Sequence, residues 1–260
     1  KDLGYDIEEL YGTSNENIIK LLNKENIPCH KVAKINERVE SKIVKLIDWY
    51  KFRKGVIKNI KTYKDEIILW FGTAESILPL KGALNGYKYI LSLLELLDDC
   101  PQKVKLLKNI AQNAIAVTVC EETRGYIMRS WWKLKDIPFV FPNKPYNQIT
   151  EKYCTPSSEV TKNVIGKIKN RKVILYQGIL QNTDEILQIA MALKKLKENY
   201  ILLLMGIDKY NSINKIKKVY DNIVYVNYIP APYHLEITSY AHIGIVFYRN
   251  DSLNKVYCAP

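Results

Sequence analysis

Val173-Ile-Leu-Tyr-Gln-Gly178, Ile201-Leu-Leu-Leu-Met-Gly206, Ile223-Val-Tyr-Val-Asn-Tyr228 and Ile243-Gly-Ile-Val-Phe-Tyr248 are four short apolar runs within residues 172–260. Between the first two, Thr183 to Asn199 carries helical spacing. Apolar runs of this length alternating with helical patterns predict β-α-β units and a parallel sheet buried on both faces. In such sheets ligands bind outside the carboxyl ends of the strands. A site is therefore expected at Gly178, Gly206, Tyr228 to Pro232 and the segment after Tyr248.

The upstream half repeats the pattern. Lys1 to Gly4 reads as the tail of a helix before a strand over 5–10, and Ser14 or Asn15 can cap a helix through Lys24 with Ile18, Ile19, Leu21 and Leu22 on its apolar side. Cys29 to Val32 reads as a short strand. Glu66 to Gly72, Lys88 to Leu94 and Ala114 to Cys120 read as strands, and Pro138 to Pro142 as a last short one. A single parallel sheet brings the three ends at Gly72, Glu95 and Glu121 to one edge. Acids at two neighbouring ends, beside the turn of Gly72, Thr73 and Glu75, suggest a site. For Glu121 and Glu122 there is a plainer alternative, because acids favour a helix amino end through its dipole. The polar stretch 147–170 reads as a linker or bridging helix. The expected organisation is a first domain over 1–150, a linker over 151–165 and a second domain over 166–260.

Ser41 to Tyr63 is the most basic helix-like segment. Lys42, Lys45, Lys51, Arg53, Lys54, Lys58 and Lys61 stand against Asp48, and Ile43, Ile47, Tyr50, Ile57 and Ile60 form a stripe beside Trp49 and Phe52. Peripheral contact of 41–63 with an anionic membrane is one reading. A helix packed on a sheet with a solvated basic side is the other, and it is preferred because globular helices usually turn their apolar stripe inward.

The net charge of +12 over 260 residues admits nucleic acid, an anionic membrane or a phosphate-bearing small molecule. It also follows from a Lys-, Asn- and Ile-rich composition. The five cysteines are scattered without a CxxC, which favours a reduced, cytoplasmic location. Three histidines without ligand spacing give no expectation of a metal. GxGxxG and GxxxxGKS/T are absent, which argues against a nicotinamide dehydrogenase and a P-loop ATPase. The GxSxG elbow is absent too. No RRM, zinc-finger or helix-turn-helix signature accompanies the charge, so nucleic acid is not expected.

The pattern resembles the GT-B-fold glycosyltransferases of the retaining, nucleotide-sugar-using family-4 type. Val173 to Gly178 is similar to that family's first C-domain strand and glycine loop, and Leu202 to Gly206 to its second strand. Val226 to Pro230, followed by Tyr233-His234-Leu235, resembles the segment that meets the donor base. Ser252-Leu-Asn254 with Tyr257-Cys-Ala-Pro260 resembles the lead into PNKxFEY. Upstream, the strand ending at Glu95, the run Cys120 to Arg124 and Pro142 to Pro145 have family-like placement.

The resemblance implies an α/β fold of two Rossmann-like domains facing a cleft, both incomplete within these residues. It implies transfer of a sugar from a nucleotide-diphosphate donor to a glycan, lipid-linked or protein acceptor, without metal or further cofactor. Glu95, Glu121 and Arg124 are then the catalytic candidates, and Gly72, Thr73 and Glu75 face the acceptor. Gly178, Met205, Gly206, Tyr228, Ile229, Pro230, Asn254 and Pro260 face the donor. Two departures stand out. The family's donor-binding Glu is expected just beyond Pro260. The basic pair that often follows the first glycine loop is replaced by Ile179, Leu180, Gln181 and Asn182. Two other functions follow from these departures and from the architecture: a catalytically silent subunit binding a partner transferase, and a nucleotide-sugar epimerase.

Overall fold

A computed structural model describes residues 4–12, 16–35, 41–64, 66–144, 151–181, 183–196, 200–248 and 250–257. The chain divides into two compact units, Lys1–Asn143 with Asn250–Pro260, and Lys144–Arg249. Residues 250–257 thus group with the first unit.

In the first unit, β1 (Glu9–Tyr11) and β2 (Cys29–Lys31) pair in parallel as a separate two-stranded sheet, linked by α1 (Glu16–Lys24). After α2 (Lys42–Ile60), β3 (Ile68–Phe71), α3 (Ala74–Ile77), β4 (Lys88–Leu93), α4 (Pro101–Asn113), β5 (Ala116–Val119), α5 (Glu122–Trp132) and β6 (Phe139–Val140) follow. Strands β3 to β6 form a four-stranded parallel sheet in chain order. Its core holds Leu91 and Leu93 of β4, Leu107 of α4 and Met128 and Trp132 of α5. Local chemistry sets the helix starts. Thr73 accepts from the Ser76 N–H at 3.2 Å, Pro101 opens α4, and Glu121 caps α5. Pro79 lies in a 3-10 turn, Leu78–Leu80, that ends the short α3.

Two expectations for this unit change. Helix α1 buries no residue, and Ile18 and Leu21 face solvent. The caps proposed at Ser14 and Asn15 lie outside the described residues. In α2 the buried row is Asp48, Phe52, Val56 and Ile60, whereas Ile43, Ile47 and Tyr50 of the expected stripe are exposed. The phase is set by Gly55: a Cβ there would lie 2.1 Å from the Val32 carbonyl oxygen, so α2 lays this side directly on the chain leaving β2.

The second unit comprises α6 (Glu159–Ile168), β7 (Lys172–Gln177), α7 (Thr183–Lys195), β8 (Tyr200–Met205), α8 (Ser212–Lys217), β9 (Ile223–Val226), α9 (Tyr233–Thr238) and β10 (Ile243–Ile245). The sheet is parallel throughout, in the order β10-β7-β8-β9. Period-two alternation divides the core. Val173, Leu175, Ile201, Leu203 and Met205 pack with Val164, Ile165 and Ile168 of α6 and Ile237 of α9. Ile174, Tyr176, Leu202 and Leu204 pack with Ile186, Ala190 and Leu193 of α7 and Ile213 and Ile216 of α8. Each such aliphatic side chain contributes roughly 1.5–3 kcal/mol on burial, which explains why these strands read as continuous apolar runs. Residues 159–168, left open as linker or helix, form a helix whose amino end Ser158 and Thr161 close reciprocally. Residues 145–150 lie outside the described segments. The short helix α10 (Leu253–Tyr257) ends the described chain in the first unit.

Candidate functional site

The carboxyl edge of the first sheet collects side chains. The registers Phe71↔Leu91 and Leu93↔Val119 align the ends of β3, β4 and β5, so Gly72, Glu95 and Glu121 stand on one edge as the sequence predicts. Glu95 is exposed, and one of its carboxylate oxygens accepts from the Asn254 side-chain amide. Asn254 Oδ1 in turn accepts from Arg124 Nη2 at 2.9 Å and from the Leu96 N–H at 3.2 Å. Arg124 is 3% exposed, and its Nη1 also donates to the Leu94 carbonyl and meets Cys120 Sγ. A single network therefore joins Glu95, Asn254 and Arg124, linking a donor candidate to two catalytic ones.

Glu121 has a different task. Its two carboxylate oxygens accept from the N–H groups of Thr123 at 2.7 Å and Arg124 at 2.9 Å. Burial pushes this carboxyl up, but those hydrogen bonds, the Thr123 hydroxyl and the Arg124 charge together hold it below its usual value. The helix-capping alternative therefore describes Glu121, and its placement sets Arg124 in the first turn of α5. Thr73 is exposed and caps α3, and the exposed Gly72 precedes it. Glu75 pairs with Lys103 at the start of α4. Burial raises the Glu75 carboxyl, and the Lys103 hydrogen bond with the charges of Lys103 and Lys45 outweighs it and holds the group low.

Two residues of this edge escaped the sequence reading. Asp98 Oδ2 accepts from the N–H groups of Leu253 and Asn254, so it caps α10 from a different part of the chain. Lys103 neutralises Glu75. The pair Asp98-Asp99 just past the β4 end was the available signal for the first. Nothing in local sequence announces either partner.

The carboxyl edge of the second sheet is made of backbone. The Gly178 N–H donates to the Met205 carbonyl at 2.9 Å, the Gly206 N–H to Val226 at 2.9 Å, and the Leu180 N–H to Ile207 at 3.0 Å. The ladder therefore runs on past the strand ends. Gly178 and Gly206 have φ of +146° and +144°, a backbone region that side chains rarely adopt. A Cβ on Gly206 would lie 1.9 Å from the Gly178 carbonyl oxygen, so the two turns touch backbone to backbone. Met205 and Ile229 are core side chains, 3% and 9% exposed, and they present only main-chain groups to this edge. Tyr228 and Pro230 are exposed. Asp208 accepts from the N–H groups of Tyr210, Ser212 and Ile213, folding the turn that carries the exposed Lys209. Asp184 and Glu185 occupy the first turn of α7. Pro260 lies outside the described residues.

A cavity of about 480 Å³ lined by Lys81, Asn85, Tyr87, Asn109 and Asn113 sits before β4 and β5, at the amino edge of the first sheet, away from all of these groups. Among the described residues no group of three His, Cys, Asp or Glu could hold a metal, and no helix is long and apolar enough to cross a membrane.

No protein-family model and no curated protein matches this sequence. Solved structures do match its fold. A glycosyltransferase from Rickettsia africae superposes with a TM-score of 0.65 at 17% identity, covering 94% of this chain and 65% of that one. HepE from Anabaena, solved with UDP and glucose, with UDP-glucose and with UDP, gives TM-scores of 0.62, 0.62 and 0.64 at 11–12% identity, covering 91% of this chain. Sucrose-phosphate synthase from Thermosynechococcus elongatus gives 0.61 at 12% identity over 94% of this chain. The chain spans 65% of the length of the Rickettsia and Anabaena proteins. Its α/β fold, built on parallel sheets, is that of the GT-B glycosyltransferases.

Proposed function

We propose that this chain belongs to a retaining, nucleotide-sugar-dependent glycosyltransferase of the family-4 type, with the second unit holding the donor and the first the acceptor. The observation that carries the reading is the Gly178–Gly206 pair, which keeps side chains off the carboxyl edge of a parallel sheet. A nucleoside diphosphate needs such close backbone approach; because the Gly178, Leu180 and Gly206 N–H groups are engaged in the ladder, charge developing on the leaving phosphate falls to other donors of this edge, without metal or further cofactor. Lys209, three residues after Gly206, supplies a cation to the same edge. The UDP and UDP-glucose complexes of HepE favour a uridine donor.

On the acceptor side Glu95 is the catalytic carboxylate, oriented by Asn254. Arg124 is a positioning residue: it is buried and braces the Leu94 carbonyl and Asn254. Gly72, Thr73 and Glu75 border the acceptor, which is a glycan, a lipid-linked sugar or a protein. A cytoplasmic location accords with Cys29, Cys100, Cys120 and Cys154 being free thiols among the described residues.

A silent GT-B-like subunit is the second reading, and a specific observation favours it. Ile179, Leu180 and Gln181 stand where a pyrophosphate-gripping pair is expected, and Asp184 and Glu185 place negative charge at the start of α7. Isothermal titration of the full-length protein with UDP, GDP and UDP-sugars, without added metal, separates the two. Saturable binding of one nucleotide supports the transferase and names its base. No binding to any of them turns the assignment to the silent subunit. Epimerisation of a bound donor without acceptor would replace both.

A further inference from the structure

We propose that the solvent-facing side of α2 docks on an anionic phospholipid bilayer. Ile43, Leu46, Ile47 and Tyr50 are 71%, 63%, 47% and 66% exposed. Their spacing, with about 3.6 residues per turn, stacks them on one side of the helix, opposite the buried row of Asp48, Phe52, Val56 and Ile60. Lys51, Lys54 and Lys58 continue the exposed side toward the carboxyl end, and Lys42 and Arg53 flank it. These five cations are exposed, while Asp48, the acid of this helix, is buried. The helix thus presents apolar side chains in its first turns and positive charge around and beyond them.

That combination complements a lipid surface. Apolar side chains enter the boundary between headgroups and acyl chains while lysines stay at the phosphates. A lysine near such a surface raises affinity by roughly fivefold.

The test is flotation of the full-length protein with vesicles of phosphatidylcholine alone and of phosphatidylcholine with an equal part of phosphatidylglycerol. The wild type should float with the anionic vesicles only, and less as salt is raised. Leu46→Glu with Ile47→Glu, and separately Lys51→Glu with Lys54→Glu, should each lower that binding by at least about tenfold while leaving UDP titration unchanged. Absence of vesicle binding, equal binding to neutral vesicles, or variants that bind like the wild type would overturn the proposal. So would sedimentation showing that this face instead joins two copies, with the Leu46 and Ile47 variant monomeric. Vesicle binding without UDP binding would remove the transferase reading and leave the docking surface standing. UDP binding without vesicle binding would do the reverse.

Discussion

The carboxyl edges of the two sheets solve opposite problems with opposite materials. The first is assembled from side chains: Glu95, Asn254, Arg124, Asp98 and the Glu75–Lys103 pair, drawn from segments as distant as 95 and 254. The second is assembled from main chain, with Gly178 and Gly206 in contact and neighbouring side chains turned into the core. A surface of polar side chains can orient a hydroxyl acceptor and move its proton. A bare backbone edge can receive a diphosphate. The contrast predicts that damage at the second edge shows as lost structure and donor affinity, and damage at the first as lost transfer.

The largest effect should come from Gly206→Ala. The added methyl meets the Gly178 carbonyl in a disfavoured backbone region, so stability should fall by about 3 kcal/mol, read from the urea midpoint of the second unit. Gly178→Ala, whose Cβ has its nearest neighbour at 4.0 Å, should cost less. Equal costs would show that backbone conformation and not close approach is what the glycines serve. Glu95→Gln should lower transfer by about 10²-fold, as loss of a general base does, and leave UDP affinity unchanged by titration. A variant as active as wild type removes Glu95 from the site. Lys209→Ala should weaken UDP binding by about fivefold to tenfold, the scale of one charge-assisted contact, with transfer from saturating donor intact. A larger loss of turnover than of affinity would blur the division between the edges.

The smallest effect is expected at Glu121. Its folded carboxyl lies below the unfolded value, so its contribution is present above the ordinary carboxylate pKa and lost as pH falls through the folded one. Glu121→Gln should cost about 1 kcal/mol at pH 7, the usual worth of a helix cap. The wild-type advantage should fade in thermal melts as pH drops below the ordinary carboxylate range, and be gone once the carboxyl is protonated in the folded as well as the unfolded state. An advantage that persists in acid would mean that the charge of Glu121 is irrelevant.

Sequence made the two edges unequally legible. Buried parallel strands such as 173–177 and 201–205 announce themselves because both faces need apolar residues, and the glycines at 178 and 206 mark where they end. The first edge was half visible. Glu95 and Glu121 could be aligned from strand order, but the cap at Glu121 and the Asn254–Arg124 contact depend on tertiary folding. Helix α2 shows the limit of periodicity most clearly. It carries two apolar rows, 43/46/47/50 and 52/56/60, and a stripe read across both cannot say which is buried. Gly55 against Val32 settles it, and that contact joins residues with no pattern between them.

The most direct test of the central claim, that the glycine edge of the second unit receives the nucleotide, is hydrogen–deuterium exchange of the full-length protein with and without saturating UDP. Protection should concentrate at 178–181, 206–210 and 228–230, with residues 72–76 and 95–98 unchanged. Protection centred on the first edge, or none anywhere, would contradict it.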